Sequence, residues 1–256
     1  MQKWKMWGIC LAVLGLLAAG TPLKAQGEGA NKAPMYIYVS HWGVPRAQWG
    51  DMAKLGQQHG ALEDKLLANG TITGYGHYVN LIHTEGQPTH GEWITATSEG
   101  NVLKALESFY GSPDVTSPVL VASKHSDLFL VSRIYNSHSG TYDGAYLAGS
   151  TWKVKAGQMQ HFNAIIKARV VPVLEKELAA GALVSYSVDT QDSHTEAPGI
   201  VEVVSIATDA ASVDKVDAAF EAAFSKDTEI GPALGALTVR DSHRDFLYRV
   251  NHMVVK

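Results

Sequence analysis

Along residues 157–180 the apolar positions Met159, Phe162, Ile166, Val170, Val173, Leu174 and Leu178 recur at steps of three and four, which places them on one stripe of a helix lying against a sheet. Pro172 inside that stretch predicts a kink. The segments around the helix have a different grain. Tyr146–Val154, Ala182–Thr190, Gly199–Ala207 and Phe246–Val255 are short and rich in β-branched and aromatic residues, as strands are, and Ala211–Phe224 reads as a second helix. A similar succession occupies the preceding part of the chain. Met35–Trp42, Thr71–His83, Gly91–Thr97 and Asp127–Tyr135 read as strands, and the middle two should pair as a hairpin. A helix follows Pro45, whose fixed φ suits a first turn, and runs to about Ala68 with Gly70 as its stop. Gly50, Gly56 and Gly60 work against its regularity. A further helix spans about Asn101–Tyr110, and Pro118–Lys124 offers another helical turn.

The order β-α-β-β-α-β thus occurs twice, and the letters repeat with it. His83-Thr84-Glu85 returns as His194-Thr195-Glu196, a spacing of 111 positions. The same spacing sets Asp64-Lys65, Leu67-Ala68, Gly70 and Tyr75 on Glu175-Lys176, Leu178-Ala179, Gly181 and Tyr186, and Val102, Lys104 and Phe109 on Val213, Lys215 and Phe220. A tandem duplication accounts for this. It divides the chain into a first unit at 35–135, a turn-rich polar linker at 136–142 and a second unit at 143–256. Each unit alone would have a sheet covered by helices on one face and bare on the other, so the two bare faces are expected to meet around a shared interior.

This doubled α+β unit resembles the ferredoxin-like dimeric α/β barrel superfamily, which includes antibiotic-biosynthesis monooxygenase-like, stress-responsive barrel and EthD-like proteins. The resemblance spans about residues 35–256 and rests on element order and duplication. It implies two tandem ferredoxin-like repeats forming an intramolecular barrel, with a pocket between the sheet and the helices of each half. It implies no reaction, because no catalytic motif of the superfamily is matched residue by residue.

Composition changes the picture at the N-terminus. Lys3 and Lys5 precede an apolar run from Ile9 to Ala19, and Ala25 suits the last residue before cleavage, so 1–25 reads as a secretory signal and 26–34 as a disordered leader. A retained anchor is the competing reading, with the Trp4–Trp7 region at an interface. Cys10, the only cysteine, lies inside the signal, so the mature chain would rely on an apolar core alone. Without Lys3, Lys5 and Lys24 the 21 basic residues fall to 18 against 25 acidic ones, a formal charge of −7. That argues against nucleic acid and anionic lipid as partners. The expectation is a periplasmic or secreted protein with no stable membrane insertion once the signal is removed and no need to oligomerise.

Candidate chemistry comes from histidines and aromatics. His83 and Glu85, repeated as His194 and Glu196, pair an imidazole with a carboxylate, and His90 could join the first pair as a metal ligand. The bland reading is that the repeated Thr and Glu cap a loop, a need shared by both copies. His125-x-Asp127 and His243-x-Asp245 form a second repeated pair, open to proton transfer or to capping. Trp42 with Trp152, and Tyr75 with Tyr186, occupy matching strand positions that suit either an apolar ligand pocket or ordinary core. His41, His77, His83, His90 and His125 accumulate in the first unit, and His41, His77 and His83 are the candidate catalytic groups. No Gly-x-Ser-x-Gly elbow, dinucleotide fingerprint or P-loop is present, and no cofactor is specified. Three readings are open: a binding protein for a small apolar or aromatic molecule, a cofactor-poor oxygenase or proton-transfer enzyme using first-unit histidines, and a structural or interaction protein of the cell envelope.

Overall fold

The computed structural model describes residues 32–256, residue 196 excepted, so the expected signal at 1–25, most of the leader and Glu196 lie outside the described residues. The first half runs through β1 (Met35–Gly43), α1 (Trp49–Ala68), β2 (Gly74–Asn80), β3 (His90–Ala96), α2 (Glu99–Tyr110), a short α3 (Pro118–Ala122) and β4 (Lys124–Ser137). After β5 (Gly140–Tyr142) the second half runs through β6 (Tyr146–Lys153), α4 (Met159–Ile165), a π-helical segment (Ile166–Val170) and α5 (Val171–Ala179). It continues with β7 (Leu183–Ser193), β8 (Ile200–Ala207), α6 (Ala210–Phe224), α7 (Ile230–Leu237) and β9 (Arg244–Val255).

The strands hydrogen-bond in the order β2-β3-β1-β4-β7-β8-β6-β9, and β9 pairs back onto β2, which closes an antiparallel barrel of eight strands with β5 flanking β9. Two seams join the halves. One is β4 on β7, through pairs such as Ile134 with Val188, and the other is β2 on β9, through His77 with His252. Because every neighbour is antiparallel, β1 and β6 point the same way along the barrel, and their C-terminal ends share one mouth.

Strand alternation sorts the side chains into two sets. In β1, Ile37 and Val39 turn inward to Leu128, Leu130 and Trp93, whereas Tyr36 and Tyr38 turn outward to the layer formed by Leu66, Tyr75, Ile94 and Val102 under the first-half helices. The second half repeats the arrangement with a larger outer core, in which Phe162 and Ile166 are fully buried beside Leu174, Leu178 and Val188. Each such side chain contributes roughly 1.5–3 kcal/mol by leaving water. Within the barrel, Gly76 stands where a Cβ would meet the Trp93 ring at 2.2 Å, so this strand position is left without a side chain to admit the indole.

Several elements differ from what the sequence suggests, for local reasons. The kink expected at Pro172 is realised as the π segment, with the proline in the first turn of α5, where its missing N–H costs nothing. Strand β2 stops at Asn80, whose side chain accepts from the Ile82 N–H at 3.0 Å and donates to the Pro88 carbonyl at 3.1 Å, turning 81–89 into a loop. Residues 136–142 are drawn into the sheet: β4 continues through Ser137 opposite Ser185, and Gly140–Tyr142 pairs with β9. Helix α7 has no counterpart in the sequence reading, since Gly231, Pro232 and Gly235 mask it, yet Ile230, Leu234 and Leu237 pack on the second-half core. No helix among the described residues is long and apolar enough to cross a membrane.

Candidate functional site

Each half has a gap between its sheet and its helices, and the two gaps differ in chemistry. In the second half a cavity of about 390 Å³ lies between the outer face of β6 and β8 and the helices α6 and α7, walled by Trp152, Ile166, Leu174, Val203, Phe220 and Leu234. His243 and Asp245 at the start of β9 form its polar rim. Besides that pair, only Trp152 among the nominated residues lines this space. Its indole stacks on His243 at 4.9 Å and 11° and meets the buried Phe162 at 5.7 Å.

In the first half the corresponding gap is filled by ionisable side chains. His59 and Glu63 stand one turn apart on α1, and His77 on β2 directly opposes Glu92 on β3. His77 Nε2 is 2.7 Å from Glu63 Oε2, and His59 Nδ1 is 3.2 Å from Glu92 Oε2. Burial disfavours charge on His77, but the Glu63 carboxylate outweighs it and raises its pKa; burial raises that of Glu63 as well, so the pair as a unit holds its proton to higher pH than usual. Burial likewise opposes charge on His59, and the Glu92 hydrogen bond and charge overcome it. Glu92 is lowered despite its own burial, because His59 bonds to it, so this second couple is an ion pair.

Ladder register fixes which second-half residues stand in the same places. Ser40 opposes Glu92 as Ser150 opposes Val203, and His77 opposes Glu92 as Val188 opposes Val203. On the helices, Tyr75 donates to Asp64 as Tyr186 donates to Glu175, so the neighbouring Glu63 matches Leu174 and His59, four residues before it, matches Val170. The four ionisable residues of one half are therefore Val170, Leu174, Val188 and Val203 in the other, all part of its apolar core.

The remaining nominated residues are dispersed. His41 faces the barrel interior, edge-on to Tyr78 at 6.3 Å, and burial pushes its imidazole down to about 4. His83 is in the exposed 81–89 loop with its ring 5.2 Å from Trp49. His90 is buried with its ring 5.3 Å from that of Trp49, edge-on, and lies 3.0 Å from Thr89 Oγ1, while Glu85 is exposed. His83, Glu85 and His90 do not form a ligand group among the described residues; the group that does form is Glu63, His77 and Glu92. Trp42 stacks on His125 at 3.8 Å against Val44, Met52 and Leu55, and Tyr75 and Tyr186 are core residues whose hydroxyls are taken by carboxylates. Sequence reasoning passed over His59, Glu63 and Glu92, although the His-x-x-x-Glu spacing on a helix was there to be read.

In both repeated His-x-Asp pairs the histidine Nε2 approaches the aspartate Oδ1 and the imidazole stacks on a tryptophan. Ser40 Oγ and Asp127 Oδ1 both approach His125 Nε2, at 2.8 and 2.7 Å, and Tyr38 donates to the same carboxylate oxygen at 2.7 Å. A serine-hydrolase relay needs the serine and the carboxylate on opposite ring nitrogens, so this is not one. In the second half Ser150 donates to Asp245 Oδ1 at 2.5 Å and His243 Nε2 lies 3.1 Å from the same oxygen, so there the serine bonds the carboxylate.

The barrel interior holds a further space of about 580 Å³. Its lining mixes Ile37, Val39 and Leu130 with His41, Asp189 and Glu202, so it is far less apolar than the second-half cavity.

No family model matches the sequence, and no curated protein does. In structure the chain is similar to a candidate monooxygenase from Lactobacillus acidophilus, with a TM-score of 0.64 at 10% identity over 88% of this chain and 97% of that one. It is also similar to a heme-binding protein from Thermus thermophilus, with a TM-score of 0.53 at 10% identity over 84% and 90%. An anthrone oxidase-like protein gives 0.52 at 10% identity over 88% and 94%. At such identities the likeness is one of fold, and that fold is the ferredoxin-like dimeric α/β barrel.

Proposed function

We propose that this chain is an exported binding protein for a small apolar or aromatic molecule, held in the second-half cavity. The observation that carries the reading is that cavity itself: about 390 Å³ walled mainly by aliphatic and aromatic side chains, with Ser150, Ser205, Asp217 and the His243–Asp245 rim as its few polar groups. Ligand pockets of small molecules have this size and this distribution of polarity. Export is supported by the basic and then apolar N-terminal segment of the sequence. Two units, 35–135 and 143–256, derived from one by tandem duplication, are supported by the 111-residue spacing and by the matched Tyr75–Asp64 and Tyr186–Glu175 bonds.

Native mass spectrometry of the purified protein, together with titration of an apolar fluorescent probe, tests this reading. A co-purifying molecule or saturable probe binding is expected, and Val203→Phe, which fills the cavity, should weaken binding at least tenfold with little change in melting temperature. Equal binding by that variant, or no binding by the wild-type chain, would remove the reading.

Cofactor-poor oxygenase or proton-transfer chemistry is a second reading. It draws on the fold neighbours described as a monooxygenase and as anthrone oxidase-like, and on His243, whose ring borders the cavity with Nε2 3.1 Å from Asp245. There an imidazole could take a proton from a phenolic or enolisable ligand. Consumption of oxygen with such a ligand, lost in His243→Gln while probe binding persists, is the result that would favour it.

A further inference from the structure

His59, Glu63, His77 and Glu92 meet beneath α1, where the binding reading gives them nothing to do. A helix face carries the first two and a directly paired couple of strands carries the others, so all four sit on rigid supports. One donor atom from each of Glu63, His77 and Glu92 lies within 4.8 Å of the other two. Donors around a small dication at about 2.0–2.2 Å are themselves roughly 3–3.5 Å apart, so side-chain adjustments of about an ångström gather the three.

Two observations point to a missing ligand. Glu63 is fully buried, and while Oε2 is engaged by His77, Oε1 has no hydrogen-bond partner among the described residues. A buried carboxylate oxygen without a donor or a cation demands an explanation. The fold supplies none, because Val170, Leu174, Val188 and Val203 fill the same places in the second half. Replacing a buried charged network by aliphatic residues is often neutral or stabilising, so its presence in one half answers to something other than packing. Room has also been made for it: a Cβ on Gly56 would stand 3.0 Å from His77 Nδ1, and the glycine lets the imidazole lie against α1 with Nε2 turned to Glu63.

We propose that Glu63, His77 and Glu92 bind one divalent first-row transition cation, and that His59 orients Glu92 through Nδ1. With both His77 and His59 neutral, two carboxylates and a dication leave no net charge in the gap, the ion taking over from the protons that the two couples otherwise hold. The mixed nitrogen and oxygen donors suit zinc, iron(II) or manganese(II), and an outer imidazole on a ligating carboxylate is the usual support for such a site. The side chains of His77 and Glu92 are 12% and 16% exposed, so the cluster lies just beneath the surface and not at the centre of the core.

The full chain, stripped with a chelator, is titrated with Zn²⁺ alone by calorimetry and with Co²⁺ alone by visible absorption. One saturable equivalent is expected, with a cobalt band showing nitrogen and oxygen ligation and a melting temperature raised by zinc. The fourfold variant His59→Val, Glu63→Leu, His77→Val, Glu92→Val copies the second half; it should stay folded and lose that equivalent. Should it not fold, Glu63→Gln keeps the shape and is expected to weaken Zn²⁺ at least tenfold. No saturable equivalent in the wild-type chain, or unchanged affinity in Glu63→Gln, would overturn the proposal and leave the cluster as proton-sharing pairs. The apolar probe binds in the other half and should be unaffected throughout, so the two readings fail separately.

Discussion

Tyr75 donates its hydroxyl hydrogen to Asp64 at 2.8 Å, tying β2 to α1, and Tyr186 makes the same bond to Glu175 on α5. The rings are almost fully buried while only the hydroxyl ends reach a polar partner. Tyr75→Phe keeps the packing and removes the bond, so it should cost about 1 kcal/mol. Urea denaturation measures this, and Asp64→Asn combined with Tyr75→Phe should cost less than the sum of the two single changes.

Gly76→Ala tests the interior packing. Its Cβ would fall 2.2 Å from the Trp93 ring, so the indole must move or the strand must bend. Overpacking of this kind costs about 1–3 kcal/mol. A lower melting temperature with a shifted tryptophan emission is the expected result.

Asp189 lies in the barrel interior at 3% exposure, and burial pushes its carboxyl up to about 6 against the helping hydrogen bonds of Ser187 and Ser132. The unfolded chain releases that proton near the ordinary value of 3.8, so between about pH 4 and 6 the folded state binds more protons and stability falls as pH rises. Asp189→Asn removes the effect. It should gain on the wild-type chain across this window, by up to about 3 kcal/mol at neutral pH, as read by denaturation at several pH values.

His41 acts in the opposite direction. Burial holds it down to about 4 while the unfolded chain takes up a proton near 6.5, so stability is present above that value and is lost as pH falls toward 4. His41→Gln should flatten the acid side of the melting-temperature profile. Imidazole resonances followed by NMR would show a neutral ring at pH 6 in the wild-type chain.

Strand and helix positions were legible because burial on one face imposes a period. The Phe162, Ile166, Val170 stripe and the strand from Met35 show it, and the doubled order led to a closed barrel. What periodicity does not carry is register. His59 and Glu63 are visible as an i, i+4 pair in the sequence, but that His77 opposes Glu92 beneath them depends on which residues of β2 and β3 face each other. The repeated His-Thr-Glu stood out as letters, whereas His83 and Glu85 belong to an exposed loop and the ionisable cluster is unrepeated. Similarity between the halves marked the scaffold, and their difference marked the candidate metal site.

Pairing of β2 with β9 has a consequence for synthesis. A nascent chain that has released residues 35–135 presents two open sheet edges, β2 and β4, and an uncovered apolar face. The β4 edge is satisfied when β7 emerges, but the β2 edge waits until residues 244–255 leave the ribosome. Exposed strand edges are templates for aggregation. This polypeptide should therefore depend on holdase protection along most of its length during production, and truncation before Arg244 should yield insoluble material rather than a stable half.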